Sequence, residues 1–181
     1  MEILHTEFKG LFIIKPKVFK DTRGYFMESF REDLFTEKIG NIRFVQENES
    51  VSTFGVLRGL HYQLPPFAQS KLVRVVKGKV QDIAVDLRYG SDTFGKYFSI
   101  QISEENKLQL FIPRGFAHGF LVLSDEAVFQ YKCDNYYAPD YETDLRWNDK
   151  HIKIIWELNP NDIVLSEKDK NALSFMEAVK F

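Results

Sequence analysis

The chain has 181 residues, 26 acidic and 24 basic side chains, a net charge of -2 and a single cysteine. Interspersed charges exclude the basic footprint expected of a nucleic-acid or anionic-membrane binder, and Cys133 alone excludes an internal disulfide framework. The length fits one domain, residues 1–181, with a core that needs no staples, and neither a membrane span nor a basic-then-apolar leader is legible, so a cytoplasmic protein is expected.

In chain order, Gly10–Pro16 reads as a short buried strand ended by proline. Asp21-Thr22-Arg23-Gly24 is a turn leading into the aromatic-rich strand of FKDTRGYFMESF, and Arg31–Ile39 suits one short helix stopped by Gly40. Phe44–Thr53 mixes polar and apolar residues. Lys71–Arg88 is rich in β-branched residues and carries Lys77-Gly78-Lys79 at its centre, which predicts a hairpin. Tyr97–Ile102 alternates, Leu108–Ile112 is apolar before Pro113, and Phe120–Leu123 and Ala127–Cys133 follow. Short strands at this spacing indicate a sandwich or barrel. Ser166 reads as the N-cap of an amphipathic C-terminal helix, with Glu167 and Asp169 in its first turn and Ala172, Leu173, Phe175, Met176 and Val179 on its apolar side.

The chemistry concentrates in Gly55–Lys71, GVLRGLHYQLPPFAQSK. Its proline pair forbids one continuous element, which puts His61 and Lys71 on separate strands or on a strand and a loop. An imidazole and a cation brought together supply what proton abstraction beside a carbonyl requires: a base with a pKa near neutrality and a charge to hold the enolate.

Pro113-Arg114-Gly115-Phe116-Ala117-His118 has the spacing P-x-G-x-x-H and resembles the second signature of the cupin double-stranded β-helix. Metal-binding cupins carry H-x-H and an acid in the first signature. The corresponding place reads His61-Tyr62-Gln63, with Lys71 where the acid belongs and six residues between it and Gly78. A cation in place of a carboxylate is poor company for a divalent metal. No metal is expected, and His5 and His151 lack comparable context.

Longer runs carry a closer resemblance. FKDTRGYFMESF, the stretch from FVQENESVSTFGVLRGLHYQL to QDIAVDLRYGSDTFG, LFIPRGFAHGFLVLS, YKCDNYYAPDYETDLRWND and LSEKD resemble, in this order, the dTDP-4-dehydrorhamnose 3,5-epimerase family. The resemblance implies a mainly β, cupin-type jelly roll with short helices, a homodimer and no metal or redox cofactor. It also implies a dTDP-4-dehydro-6-deoxyhexose substrate inverted at C3 and C5, for dTDP-L-rhamnose biosynthesis. Departures are small: Glu47 stands where relatives often carry Asp, and Asp92 where proline is common.

Carried over residue by residue, His61 matches the family's base and Asp169 the partner that orients it. Tyr131 matches the acid that returns a proton at C5 from the opposite ring face, and Lys71 the group beside the C4 oxygen. Arg23, Arg58 and Lys168 match positions that contact the diphosphate or hold the sugar. Glu28, Gln46, Asn48, His118 and Glu142 match further substrate-binding positions, and the strand bearing Arg23 and Glu28 is expected to reach the partner's site. Each residue type also has an ordinary use. A lone histidine beside a turn is often structural, an acid in a helix's first turn complements its dipole, a strand tyrosine packs in a core, and a strand-end lysine is solvated. The rival functions are a 3-epimerase or ketoisomerase of a related nucleotide sugar, a metal-dependent cupin oxygenase and a non-catalytic carbohydrate-binding cupin.

Overall fold

In the computed structural model, which describes residues 1–181, the β-branched and aromatic runs become strands of two antiparallel sheets. The chain begins with β1 (Glu2–His5), β2 (Phe12–Lys15), the hairpin β3 (Val18–Asp21) and β4 (Gly24–Met27), and then helix α1 (Glu32–Lys38). The middle holds β5 (Gln46–Thr53), β6 (Leu57–Gln63), β7 (Lys71–Lys77) and β8 (Lys79–Asp86). After these come β9 (Tyr97–Ser103), β10 (Gln109–Ile112), β11 (Phe116–Val122), β12 (Glu126–Cys133), β13 (Glu142–Asp144) and the four-residue helix α2 (Glu167–Lys170).

One sheet has the order β1-β2-β10-β7-β12-β5 and the other β13-β6-β11-β8-β9, while β3 and β4 pair only with each other. Their inner faces share a core in which Val73, Val75 and Leu110 of the first sheet meet Val80, Ala84 and Phe120 of the second. Burying each of the larger side chains among these, the valines, Leu110 and Phe120, contributes about 1.5–3 kcal/mol. The outer face of the five-stranded sheet is covered as well. Ile152, Phe175, Ala178 and Phe181 from the C-terminal segment pack on Leu60, Tyr62, Ile83 and Val85. Helix α1 covers the other sheet through Phe35, against Ile14, Leu72 and Phe111. Strand β11 is therefore buried at every position and reads as a continuous apolar run, not an alternating one. This is the mainly β jelly roll of the cupin type that the two signatures predict.

Two expectations fail, each for a local reason. Lys77-Gly78-Lys79 is not the turn of a hairpin, because β7 and β8 lie in different sheets. Gly78, at φ +78°, bends the chain from one sheet to the other, and a Cβ there would lie 2.1 Å from the Glu126 carbonyl oxygen. The turn chemistry is real, yet pairing partners come from β9, β10, β11 and β12.

The amphipathic C-terminal helix also stops early, at Lys170. Leu173 forms a parallel bridge with Leu145, and its carbonyl accepts from the Arg146 N–H at 2.7 Å. That bond pulls the chain out of helical geometry. Ala172 and Phe175 are then packed inward, while Leu173, Met176 and Val179 stay exposed.

Candidate active site

Strand β6 carries His61 between β11 and β13, in register with His118 on one side and Asp144 on the other. The Arg-Gly-Leu-His run explains how. Gly59 lies against Gly119 of β11 beside a register shift, and a Cβ on Gly59 would come within 2.6 Å of the Gly119 Cα. Two glycines let these strands approach closely where a side chain would wedge them apart.

The C-terminal segment returns to the same strand. Val164 donates to the Gly55 carbonyl at 2.8 Å and accepts from the Leu57 N–H at 2.9 Å. This strap brings α2 onto β6 and buries Asp169, whose Oδ1 is 2.6 Å from His61 Nε2. The contact fixes the roles of the ring nitrogens. Nε2–H donates to the carboxylate, which leaves Nδ1, with no hydrogen bond inside the chain, as the basic nitrogen. Burial pushes Asp169 up, but hydrogen bonds from His61 and Ser166 outweigh it and hold the carboxyl below the usual carboxylate range.

His61 lines a cleft of about 280 Å³ together with Lys71 and Tyr131, and Gln46, Asn48 and Glu142 line it too. His61, Lys71 and Tyr131 also line an adjoining recess of about 160 Å³, with Arg58 and His118. Lys71 and Tyr131 come from the other sheet: Lys71 opens β7 opposite Cys133, and Tyr131 pairs with Val73 and Asn48. Lys71 Nζ donates to the His61 carbonyl at 3.4 Å, and desolvation lowers its pKa. A desolvated ammonium with no carboxylate partner is suited to receive an anion. Burial raises the Tyr131 phenol, keeping it protonated at neutral pH.

Arg58 reaches across to β5, with Nε on the Ser52 hydroxyl at 2.9 Å. His118 is buried, with Nε2 3.0 Å from each oxygen of Asp82, and burial nevertheless lowers its pKa. Lys168 Nζ bonds Glu142 Oε2 at 2.5 Å and lies 3.3 Å from Asp144 Oδ1. Burial pushes Glu142 up, but the bonds from Lys168 and Tyr137 bring its pKa down. His61, Glu142 and Asp144 cluster as a ligand set for a cation would, and the Lys168 ammonium sits on both carboxylates of that set.

Arg23 and Glu28 are not part of this cleft. Arg23 is exposed, with its side chain 88% accessible and bonded only to Asp21. Glu28 is exposed just after β4. The hairpin that precedes it also displays Phe19, Tyr25 and Phe26 to solvent.

Several site groups escaped the sequence reading. Asp144 lies 3.6 Å from His61 Nε2, and its buried Oδ1 has no well-formed hydrogen bond. Burial raises its pKa. Its signal was the Glu142-Thr143-Asp144 spacing, which puts both acids on one face of a strand. Asp82 carried no signal, since its role depends on the β8–β11 pairing. Gln63, in the place of a cupin metal ligand, instead ties the loop bearing Tyr137. It donates to the Tyr136 carbonyl and accepts from the Ala138 N–H.

A family model described as dTDP-4-dehydrorhamnose 3,5-epimerase matches residues 5–177. A dTDP-4-dehydrorhamnose 3,5-epimerase from Shigella flexneri is 54% identical, over 100% of this chain and 99% of that protein. The crystal structure of the enzyme of that name from Elizabethkingia anophelis superposes with a TM-score of 0.93 at 50% identity, covering 97% of each chain. A dTDP-6-deoxy-D-glucose-3,5-epimerase from Legionella pneumophila, solved in complex with dTDP-4-keto-L-rhamnose, gives a TM-score of 0.91 at 48% identity. That match covers 94% of this chain and 90% of the other.

Proposed function

The chain belongs to the dTDP-4-dehydrorhamnose 3,5-epimerase family, and from that premise we propose that its cleft inverts C3 and C5 of dTDP-4-dehydro-6-deoxy-D-glucose with His61 as the base. The reaction gives dTDP-4-dehydro-L-rhamnose. The observation that carries the proposal is the 2.6 Å contact between His61 and Asp169 beside a desolvated Lys71 and a protonated Tyr131.

The 4-keto group acidifies the C–H bonds at C3 and C5. His61 Nδ1 takes the C5 proton, and the electron pair of the broken C–H bond moves onto the C4 oxygen. Lys71 stabilises that enolate. A cation placed there lowers the barrier by about 2.7–4 kcal/mol relative to a site lacking it. Asp169, ionised and bonded to Nε2–H, offsets the positive charge that His61 acquires. Tyr131 delivers its phenolic proton to the opposite face of C5, so the proton gained by His61 matches the one Tyr131 gives up. Before C3 reacts, His61 releases its proton to solvent and Tyr131 regains one from solvent. His61 then takes the C3 proton, the electron pair moves onto the same C4 oxygen, and a solvent-derived proton returns to C3 from the opposite face.

Arg58 suits the diphosphate, since it lines the recess beside Lys71 and a guanidinium matches phosphate oxygens. Gln46, Asn48, His118, Glu142 and Lys168 hold the sugar and base ends of the substrate. Arg23 and Glu28 serve the site of a second copy. The exposed aromatic hairpin that precedes Glu28 and carries Arg23 supports a homodimer in which each protomer completes its partner's cleft. No helix is long and apolar enough to cross a membrane, and a cytoplasmic location fits a nucleotide-sugar substrate.

The test is turnover of dTDP-4-dehydro-6-deoxy-D-glucose in heavy water, read by NMR. Deuterium at both C3 and C5 of a product with the L-configuration is expected. Label at C3 alone identifies a 3-epimerase, a ketone moved to C3 identifies a ketoisomerase, and tight binding with no exchange identifies a carbohydrate-binding module.

A further inference from the structure

We propose that Ser166 is a positioning residue for His61, acting through Asp169 to decide which of two carboxylates the imidazole engages. This rests on the reading of His61 as the base.

Both oxygens of Asp169 are committed. Oδ1 takes His61 Nε2 at 2.6 Å and Oδ2 takes the Ser166 hydroxyl, also at 2.6 Å. The same hydroxyl oxygen accepts the Asp169 backbone N–H at 3.1 Å. Ser166 thus grips the residue at two points, its backbone and its far carboxylate oxygen. The Gly59 N–H of β6 also reaches this carboxylate, and the Ser166 hydroxyl, on the far oxygen, completes the set of contacts that fixes its plane and aims Oδ1 at the ring. Asp169 is 3% exposed, so the direction of its carboxylate is set by these protein contacts.

Ser166 is itself referenced to the histidine's own strand. Val164, two residues earlier, is bonded on both sides to Gly55 and Leu57, at the start of β6. The line Ser166–Asp169–His61 is closed by backbone bonds to β6 and does not depend on a helix for rigidity. Capping alone does not account for this arrangement. Helix α2 has four residues, and the N-cap role uses only the acceptor side of the hydroxyl. The donor side goes to the carboxylate.

A competitor makes the aim matter. Asp144 Oδ1 is 3.6 Å from the same Nε2, buried and without a well-formed hydrogen bond. A carboxylate at Asp169 that is free to rotate gives up Nε2 to Asp144, which turns the ring and moves Nδ1 away from the substrate carbon. Near-attack geometry tolerates little such displacement. The other charged groups at this end of the cleft are Lys168 and Glu142. Lys168 bonds Glu142 at 2.5 Å and lies 3.3 Å from Asp144 Oδ1, an ion-pair contact that leaves Asp144 charged and still within reach of Nε2.

The experiment compares Ser166→Ala, Ser166→Gly and Ser166→Thr by steady-state turnover and by deuterium wash-in at C5, each checked for folding by its melting temperature. Glycine is an acceptable N-cap but has no hydroxyl, so it separates capping from aiming. A loss of about tenfold in kcat is expected in both Ala and Gly variants, the lower end of what partners that orient a functional histidine contribute. KM should change little, and Thr should restore most of the loss. Turnover by the Gly variant at the wild-type rate, or a rise in KM with kcat unchanged, overturns the proposal. If the wild type itself washes no deuterium into C5, the assignment of His61 as base has failed instead.

Discussion

His61 and Tyr131 enter one cleft from different sheets, His61 on β6 of the five-stranded sheet and Tyr131 on β12 of the six-stranded one. Packed sheets stand about 10 Å apart, which leaves room for a sugar ring between two inward side chains. Inversion requires a proton to leave one ring face and another to arrive on the opposite face. A jelly roll meets that requirement with its two walls, where a single strand or loop presents both groups from one side.

Removing the base should abolish exchange. His61→Asn is expected to lower kcat by about 10²–10⁴-fold at both carbons, the usual contribution of general acid–base catalysis. Asp169→Asn keeps an acceptor for Nε2–H but loses the charge that offsets the imidazolium, so its kcat should fall within the same range. Equal activity in Asp169→Asn and wild type, measured by steady-state kinetics, contradicts the pairing.

Lys71→Met tests enolate stabilisation. The expected loss is about 10²–10³-fold in kcat with KM nearly unchanged, since the oxygen carries full negative charge only after the proton has gone. An effect confined to KM would make Lys71 a binding group.

The partner's contribution is measurable by mixing. Arg23→Ala and His61→Asn variants, each inactive, should regain activity when unfolded together and refolded. Random pairing of a twofold dimer rebuilds about a quarter of all sites. Activity that stays at the level of the separate variants argues that Arg23 serves no partner.

Asp169 and Asp144 predict opposite pH behaviour. The folded pKa of Asp169 is lowered, so its contribution to stability is present above the unfolded value of about 3.9 and is lost as pH falls through the folded value. The melting-temperature gap between wild type and Asp169→Asn should therefore hold from about pH 8 to pH 5 and close only below about pH 4. Asp144 is raised by burial, so its charged form costs stability above its folded pKa and nothing below the unfolded one. Asp144→Asn should melt no lower than wild type at neutral pH, and any gain should vanish in acid. A melting temperature for Asp144→Asn well below wild type at neutral pH contradicts that assignment.

Much of this was legible in the sequence because it was written locally. The strands β7 and β12, the short α1 and the separation of His61 from Lys71 by a proline pair all follow from neighbouring residues. What failed depended on distant ones. Gly78 announces a bend but not which strands will pair beyond it, and the apolar spacing after Lys170 does not reveal the bridge from Leu173 to Leu145 that ends the helix. From its neighbours alone Asp169 reads equally as a helix-turn acid or as the histidine's partner. Only the strap of Val164 onto Gly55 and Leu57 brings it to the ring. Asp82 becomes a site residue through the β8–β11 register, which no local pattern encodes, and the Glu142-Thr143-Asp144 spacing marks a shared face for two acids without revealing that β13 pairs beside His61.

The central claim is a base and an acid on opposite faces of one carbon, and Tyr131→Phe tests it most directly. In heavy water, His61 in this variant still removes the C5 proton and can return only a deuteron from its own side. NMR of the recovered sugar nucleotide should show deuterium at C5 in the starting D-configuration, without inversion at that carbon. Inversion at C5 at the wild-type rate in Tyr131→Phe would contradict the account.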